Sequence, residues 1–275
     1  MAGTFKGLTQ SQINKRIKEG RGQGTGSNYK PFIYTWEVSS RGRSHRIFGN
    51  KSRRIHHLLS DLELAVFLTL DWLPQVYDIR EQFPLRVDDT ARIADASGIV
   101  HGKFKGVNQV LSSDFLVDFD DPERPQMAFQ AKYSSDLQKP DTIERLALEQ
   151  KYWEEKEIPW AIITEKDFSK TVFLNIQWLY PAQSEELEQS TLQNYFNLFV
   201  HAFAKKPDAL ITEVAQGLDI AYDLEPGEAL YWLRNLLARH YFLFDLRLHY
   251  RKVTASMLTL NGHDEDAGEV KLVSG

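Results

Sequence analysis

The clearest alternation of apolar and polar positions lies at 114–119, DFLVDF, where Phe115, Val117 and Phe119 alternate with Asp114, Leu116 and Asp118. A second run, MAFQAKY at 127–133, sets the bulky Met127, Phe129 and Tyr133 around Gln130 and Lys132. A period of two with β-branched and aromatic residues predicts a strand in each place. The intervening DDPERP carries two prolines and four charges, the composition of a hairpin loop. Asp114 therefore opens one strand, and Gln130 and Lys132 share a face of the next.

Helical periods frame this hairpin. In 60–72, SDLELAVFLTLDW, Leu62, Val66 and Leu70 make an apolar stripe that Ala65, Leu68 and Trp72 widen, which predicts a largely buried helix. Ser60 is its N-cap and Glu63 takes the N3 position of a capping box, so Glu63 is either a capping carboxylate or a functional one. Residues 76–85 read as a strand, 141–160 as an amphipathic helix and 160–168 as a buried strand. This order predicts an α/β domain whose mixed sheet is flanked by helices.

Upstream, 8–26 reads as a short helix ended by Gly20 and followed by a flexible glycine loop. No strand precedes that loop and no Lys-Ser/Thr follows it, so it does not read as a phosphate cradle. The segment 31–49 predicts two strands around a Ser-Ser-Arg-Gly turn. From Phe168 the texture changes. Residues 168–188 read as a linker with a short helix ended by Pro181. Helices are predicted over 189–206, 207–220 and 226–240, then strands over 241–250 and 252–260. Three helices followed by a hairpin is the winged-helix order. The expected domains are thus 1–168 and 169–275, with a frayed polar tail after Asn261.

Charge sharpens this division. Residues 1–57 hold twelve Lys and Arg against Glu19 and Glu37, a balance of +10, although the whole chain carries −5. His45, His56, His57, Tyr29, Tyr34 and Trp36 are interleaved with those cations, which suggests contact with a polyanion; a solvated tail is the alternative. Residues 181–275 carry a balance of −6, which favours protein contact over groove reading there, although Arg234, Arg239, Arg247 and Arg251 offer a local patch. There is no cysteine, which excludes disulfides, thiolate metal sites and a Cys nucleophile. No apolar run is long enough to span a bilayer and no signal region opens the chain, so the expectation is a soluble cytoplasmic protein with no membrane partner. Any metal must be held by carboxylate, carbonyl, amide or imidazole, which favours a hard ion such as Mg²⁺.

Asp114, fifteen residues and then Gln-Ala-Lys match the layout of the restriction-endonuclease-like nucleases, the PD-(D/E)xK superfamily. Phosphodiester cleavage needs a hydroxide aimed in line with the leaving oxygen and one or two Mg²⁺ ions to neutralise charge, with Mn²⁺ able to substitute. In that layout Asp114 and the carbonyl of Ala131 ligate metal and Lys132 sits beside the nucleophilic water. Gln130 replaces the usual acid, so a carboxylate must come from elsewhere, and Glu63 is the obvious supplier. On spacing alone, Asp114 and Lys132 could instead be a cross-strand ion pair worth under about 1 kcal/mol.

The run RSHRIFGNKSRRIHHLLSDLELAVFLTLDW at 43–72, followed by DIREQFPL, SSDFLVDF and FQAKY, strongly resembles the TnsA family. KRIKEGRGQG upstream, and IPWAIITEK and NIQWLY downstream, extend the resemblance over nearly 10–180. TnsA is the endonuclease subunit of heteromeric cut-and-paste transposases. The resemblance implies catalytic roles for Glu63, Asp114 and Lys132, with Glu63, Asp114, Gln130 and Ala131 as metal ligands. It implies a nucleoid-associated bacterial enzyme that cuts the 5′ ends of a transposon while the TnsB subunit cuts and joins the 3′ ends. Double-stranded DNA at the transposon ends, TnsB and the TnsC ATPase are then the expected partners, and a winged-helix C-terminal domain is expected. A free-standing restriction or repair nuclease, or an inactive DNA-bound adaptor, are the alternatives.

Overall fold

The computed structural model describes residues 7–38 and 43–261. The chain divides between Phe168 and Ser169 into two compact units. The first begins with helix α1 (Gln10–Lys18), the hairpin β1 (His45–Gly49) and β2 (Arg54–Leu58), and helix α2 (Asp61–Trp72). Strand β3 (Val76–Pro84), helix α3 (Val87–Ser97) and a small ribbon of β4 (Lys103–Phe104) and β5 (Val107–Asn108) follow. The unit closes with β6 (Ser112–Phe119), β7 (Gln126–Ala131), α4 (Pro140–Glu155) and β8 (Trp160–Ile163).

The central sheet has the order β3-β6-β7-β8. β6 pairs antiparallel with β3 and β7, and β7 pairs parallel with β8. A parallel neighbour needs a crossover, and α4 supplies it. Leu148, Tyr152 and Trp153 of α4 bury against Leu116 and Ala128 of the sheet and Ile93 and Ala94 of α3. The mixed sheet with its helices is the α/β architecture that the periodicity predicts. Helix α3 has no counterpart in the sequence reading. Its buried side is only Thr90, Ile93 and Ala94, too small and too weakly apolar to mark a stripe.

The described residues of 31–49 hold one strand, not two. Phe32 instead buries with Leu8 and Ile13, and Thr35–Glu37 form a 3₁₀ turn. The partner of β1 is β2, and the turn between them is fixed by one backbone dihedral and one hydrogen bond. Arg53 takes a left-handed φ of 55°, and the Asp71 carboxylate accepts the Asn50 N–H at 3.0 Å. The expected Ser-Ser-Arg-Gly turn lies outside the described residues. The glycine loop is tethered rather than flexible, a second correction. Gly22 has φ 76° and lies so close to β3 that a Cβ would sit 2.1 Å from Pro84 Cγ, while the Gly26 N–H bonds the Asp78 carboxylate at 2.9 Å.

The second unit contains α5 (Lys170–Gln183), α6 (Gln189–Lys205), α7 (Ile211–Ala221) and α8 (Glu228–Ala238). A two-stranded ribbon of β9 (Phe242–Leu243) and β10 (Thr259–Leu260) follows. The expected linker is therefore a helix, and it runs through Pro181 instead of ending there. Ser169 caps it, and Ile176, Leu179, Tyr180 and Ala182 are buried, so packing outweighs one missing N–H in the last turn. The long strands expected over 241–260 are also corrected. Buried Asn175 donates to the carbonyls of Leu246 and Leu248, both at 2.8 Å, and accepts from the Tyr250 N–H at 3.1 Å, holding that stretch as turns. The tail after Asn261 lies outside the described residues. Among those described, no helix is long and apolar enough to cross a membrane.

Candidate active site

The β6–β7 ladder is registered only as far as Phe115 opposite Phe129. Beyond that pair, side chains replace backbone partners. The Asp114 N–H donates to Gln130 Oε1 at 3.1 Å, and the Ala131 N–H donates to Asp114 Oδ2 at 2.9 Å. The strands thus part around a carboxylate and an amide, which answers why polar residues interrupt two well-patterned strands. Lys132, one residue past β7, is anchored by its N–H to the Ile163 carbonyl. Its Nζ donates to the Ala131 carbonyl at 3.1 Å and lies 3.9 Å from Asp114 Oδ2.

Glu63 reaches the same place from the first turn of α2. Its N–H bonds Ser60 Oγ at 3.0 Å, so the N-cap expected from sequence is present. Its carboxylate accepts from Ser60 Oγ at 3.1 Å and from the Leu59 N–H at 2.8 Å. Capping and function are therefore not exclusive. A third donor, Gln82 Nε2 at 3.1 Å, comes from β3. Burial first, and then the Asp114 carboxylate, push the Glu63 carboxyl up to about 8.

Gln82 is a residue that the sequence reading missed. It is buried, lies between the registered pairs Glu81–Phe115 and Phe83–Ser113, and takes φ 48°. A left-handed non-glycine residue inside a strand is strained, and such residues concentrate at functional sites. Its signal was the unbroken polar run Arg80-Glu81-Gln82 within an otherwise strand-like segment. Glu149 was also missed, as one of several residues stepping along α4. It is buried and accepts from Ser113 Oγ at 2.6 Å and Trp160 Nε1 at 2.9 Å. Burial, with a contribution from Asp114, raises its carboxyl to about 7.

Asp118 and the nearby histidines do not join this group. Asp118 pairs with Arg80 and Gln126. His101 bonds Thr90 and His45 bonds Asp61. His56 lies between Ser52 Oγ at 2.5 Å and Glu81 Oε2 at 2.8 Å, and Arg54 grips both Glu81 oxygens. Ser52, His56 and Glu81 have the order of a hydrolase relay, but all three are buried, so the relay anchors the β1–β2 hairpin to β3. Burial alone would raise the Glu81 carboxyl; His56 and Arg54 outweigh it and hold it well below the ordinary carboxylate range.

Among the described residues no three His, Cys, Asp or Glu side chains converge as a metal centre. The donors that do converge are the two carboxylates, the Gln130 amide and the Ala131 carbonyl. This all-oxygen set suits a hard divalent cation. One feature of the protein fits such an ion: the repulsion between Glu63 and Asp114, which a cation would relieve.

A mixed sheet with two carboxylates and a lysine at the parted end of a hairpin is consistent with an endonuclease-like fold. Comparison with known families agrees. The family model for the TnsA-like endonuclease N terminal matches residues 73–165, and that for the TnsA endonuclease C terminal matches 167–246. The transposon Tn7 transposition protein TnsA of Escherichia coli is 47% identical over 251 residues, covering 91% of this chain and 92% of the relative. This chain belongs to the TnsA endonuclease family. Asp114, Gln130, Ala131 and Lys132 fall within the matched N-terminal region, and Glu63 lies just ahead of it.

Proposed function

We propose that this chain is the metal-dependent DNA endonuclease subunit of a cut-and-paste transposase and cleaves the 5′ ends of the element. The observation that carries this reading is the convergence of Glu63, Asp114 and Lys132 at the end of the β6–β7 ladder, in a chain of the TnsA family. Glu63 and Asp114, with Gln130 and the Ala131 carbonyl, would hold one or two Mg²⁺ ions; such ions lower the pKa of bound water and neutralise charge on the phosphate. The protein's own contribution is positional. Asp114 is fixed by the Ala131 N–H and Glu63 by Ser60, Leu59 and Gln82. Lys132 places its Nζ beside Asp114, where it would meet the scissile phosphate and stabilise negative charge gained as water attacks phosphorus and the leaving oxygen departs.

We assign 1–168 as the nuclease domain and 169–275 as a winged-helix-type domain. The succession α6, α7, α8 and the short β9–β10 ribbon supports the second assignment. The family relationship supports a TnsB-type transposase as partner at the 3′ ends, a TnsC-type ATPase as regulator, and a setting at the bacterial nucleoid.

The test places purified protein, a TnsB partner and a labelled transposon-end duplex in Mg²⁺. The expected product is a nick at the 5′ boundary that is absent with Asp114→Ala and Lys132→Ala, both still folded. Cutting that needs no partner would favour a free-standing nuclease. No cutting, with TnsB active at the 3′ ends, would favour an inactive adaptor.

A further inference from the structure

Among the described residues of the N-terminal unit Trp36 is the most exposed aromatic, at 64%, yet its ring is held by several contacts. Its indole stacks on Tyr34 at 4.6 Å with the planes only 6° apart. Both rings meet the buried His57 edge-on, each at 4.9 Å, and Thr35 Oγ1 bonds His57 Nδ1 at 3.2 Å. Beneath, the Arg21 guanidinium lies 4.8 Å from the Tyr34 ring centre and is itself clamped by both oxygens of Glu37. A side chain that only tolerated solvent would not need this support.

The surroundings say what the platform faces. The β1–β2 register sets Arg46 opposite His57, and both Arg46 and the nearby Ile55 are exposed. The sequence between Val38 and Ser60 has no acid, and Arg43, Arg46 and Arg53 within it are exposed. The acids that flank this stretch in sequence are already engaged, Glu37 by Arg16 and Arg21 and Asp61 by Arg43 and His45. A braced, exposed indole in a field of cations without free carboxylates complements nucleic acid, because any base offers a π-face and its phosphates meet the cations.

The chain also links this platform to one of the carboxylates. His57, which both rings contact, lies two residues before Leu59, whose N–H holds the Glu63 carboxylate. We propose that Trp36, backed by Tyr34, receives a base that has left the duplex stack beside the phosphate presented to Glu63 and Asp114. The inference rests on the nuclease reading and adds to it a preference for locally unstacked DNA. An unpaired base gives up no pairing on docking, so it is the favoured ligand.

The test uses the full chain in EDTA, so that nothing is cut, and two duplexes of one sequence. One is fully paired, and the other carries a single unpaired 2-aminopurine. Anisotropy reports affinity and 2-aminopurine fluorescence reports stacking. Wild-type protein is expected to bind the unpaired duplex about fivefold tighter or more and to quench its fluorescence. Trp36→Ala should lose both effects while binding the paired duplex within about twofold of wild type, and Trp36→Phe should retain part of each. Equal discrimination by wild type and Trp36→Ala would overturn the proposal and leave the platform to a protein partner. Binding of both duplexes without discrimination by wild type would overturn it while leaving the nuclease reading intact. No association with either duplex at low salt would count against both.

Discussion

Gln82 donates its side-chain amide to Glu63 from a backbone held at φ 48°, so a strained strand residue positions the carboxylate that a helix cap delivers. Strain and hydrogen bond can be separated. Glycine adopts φ > 0 without the penalty of about 1 kcal/mol that a Cβ brings, but it cannot reach Glu63. Gln82→Gly should therefore unfold within about 1 kcal/mol of wild type, while Mg²⁺ affinity falls about tenfold, as expected when a group orienting a metal ligand is lost. Isothermal titration beside a denaturation curve checks this. Undiminished Mg²⁺ affinity would make Gln82 a structural residue only.

Gln130 places its amide oxygen on the Asp114 N–H and leaves its nitrogen buried without a partner. Gln130→Glu would keep the acceptor and exchange the orphaned nitrogen for a second oxygen, adding negative charge next to Asp114. In EDTA the variant should be less stable than wild type, because a further buried carboxylate lacks a counter-charge. In saturating Mg²⁺ it should gain more stability than wild type does, because the added charge strengthens the ion's hold. Thermal midpoints measured with and without the metal decide it. A variant that Mg²⁺ stabilises no more than wild type would show that position 130 does not face the ion.

Much of this was legible in the chain. The period-2 runs at 114–119 and 127–133 gave the central hairpin because both strands bury alternate side chains. Ser60 followed by Glu63 marked the start of α2 because its capping is local. Gln82 was marked only by the polar run Arg80-Glu81-Gln82, since a left-handed residue in a strand leaves no mark in hydrophobic periodicity. The long strands expected over 241–260 failed for a related reason. Their alternation is real, but Asn175, some seventy residues earlier in the chain, claims the carbonyls of Leu246 and Leu248 that a ladder would use. Pairings across such distances in sequence are what local patterns do not carry.

The carboxyl of Glu63 gives the metal-free protein a pH dependence of defined sign. Its folded value of about 8 lies above its ordinary 4.5, so the folded state keeps a proton that the unfolded chain releases as pH rises from about 4.5 to about 8. Stability therefore falls through that window and levels off above it. Glu149, raised to about 7, adds a slope of the same sign at the lower end. His57, lowered from 6.5 by burial and then by Arg54, Arg46 and His56, opposes it only below its ordinary value. Between about pH 6.5 and pH 8 the Glu63 contribution should dominate, at up to about 1.4 kcal/mol per pH unit. Glu63→Gln in EDTA should abolish the decline in chemical denaturation midpoints across this range. A wild-type stability that rises there would refute the coupling.

Not every arginine of the β1–β2 hairpin is available to DNA. Arg54 is committed to the buried Glu81 carboxylate, and removing one partner of such a pair costs about 3–5 kcal/mol because the other charge is stranded. Neutralising Arg41, Arg43, Arg46, Arg53 and Arg54 together would therefore confound DNA binding with loss of the hairpin, and Arg41 lies outside the described residues. Arg43, Arg46 and Arg53 are exposed. Arg43 is drawn toward Asp61 at 3.3 Å, and at 82% side-chain exposure that pair is weak enough to yield to a phosphate. Replacing these three by Gln should leave the melting temperature near wild type and reduce the slope of log K against log salt by about 1 for each phosphate no longer neutralised. Arg54→Gln alone should instead lower the melting temperature sharply. A triple variant whose salt slope matches wild type would show that the hairpin does not lie along the phosphate backbone.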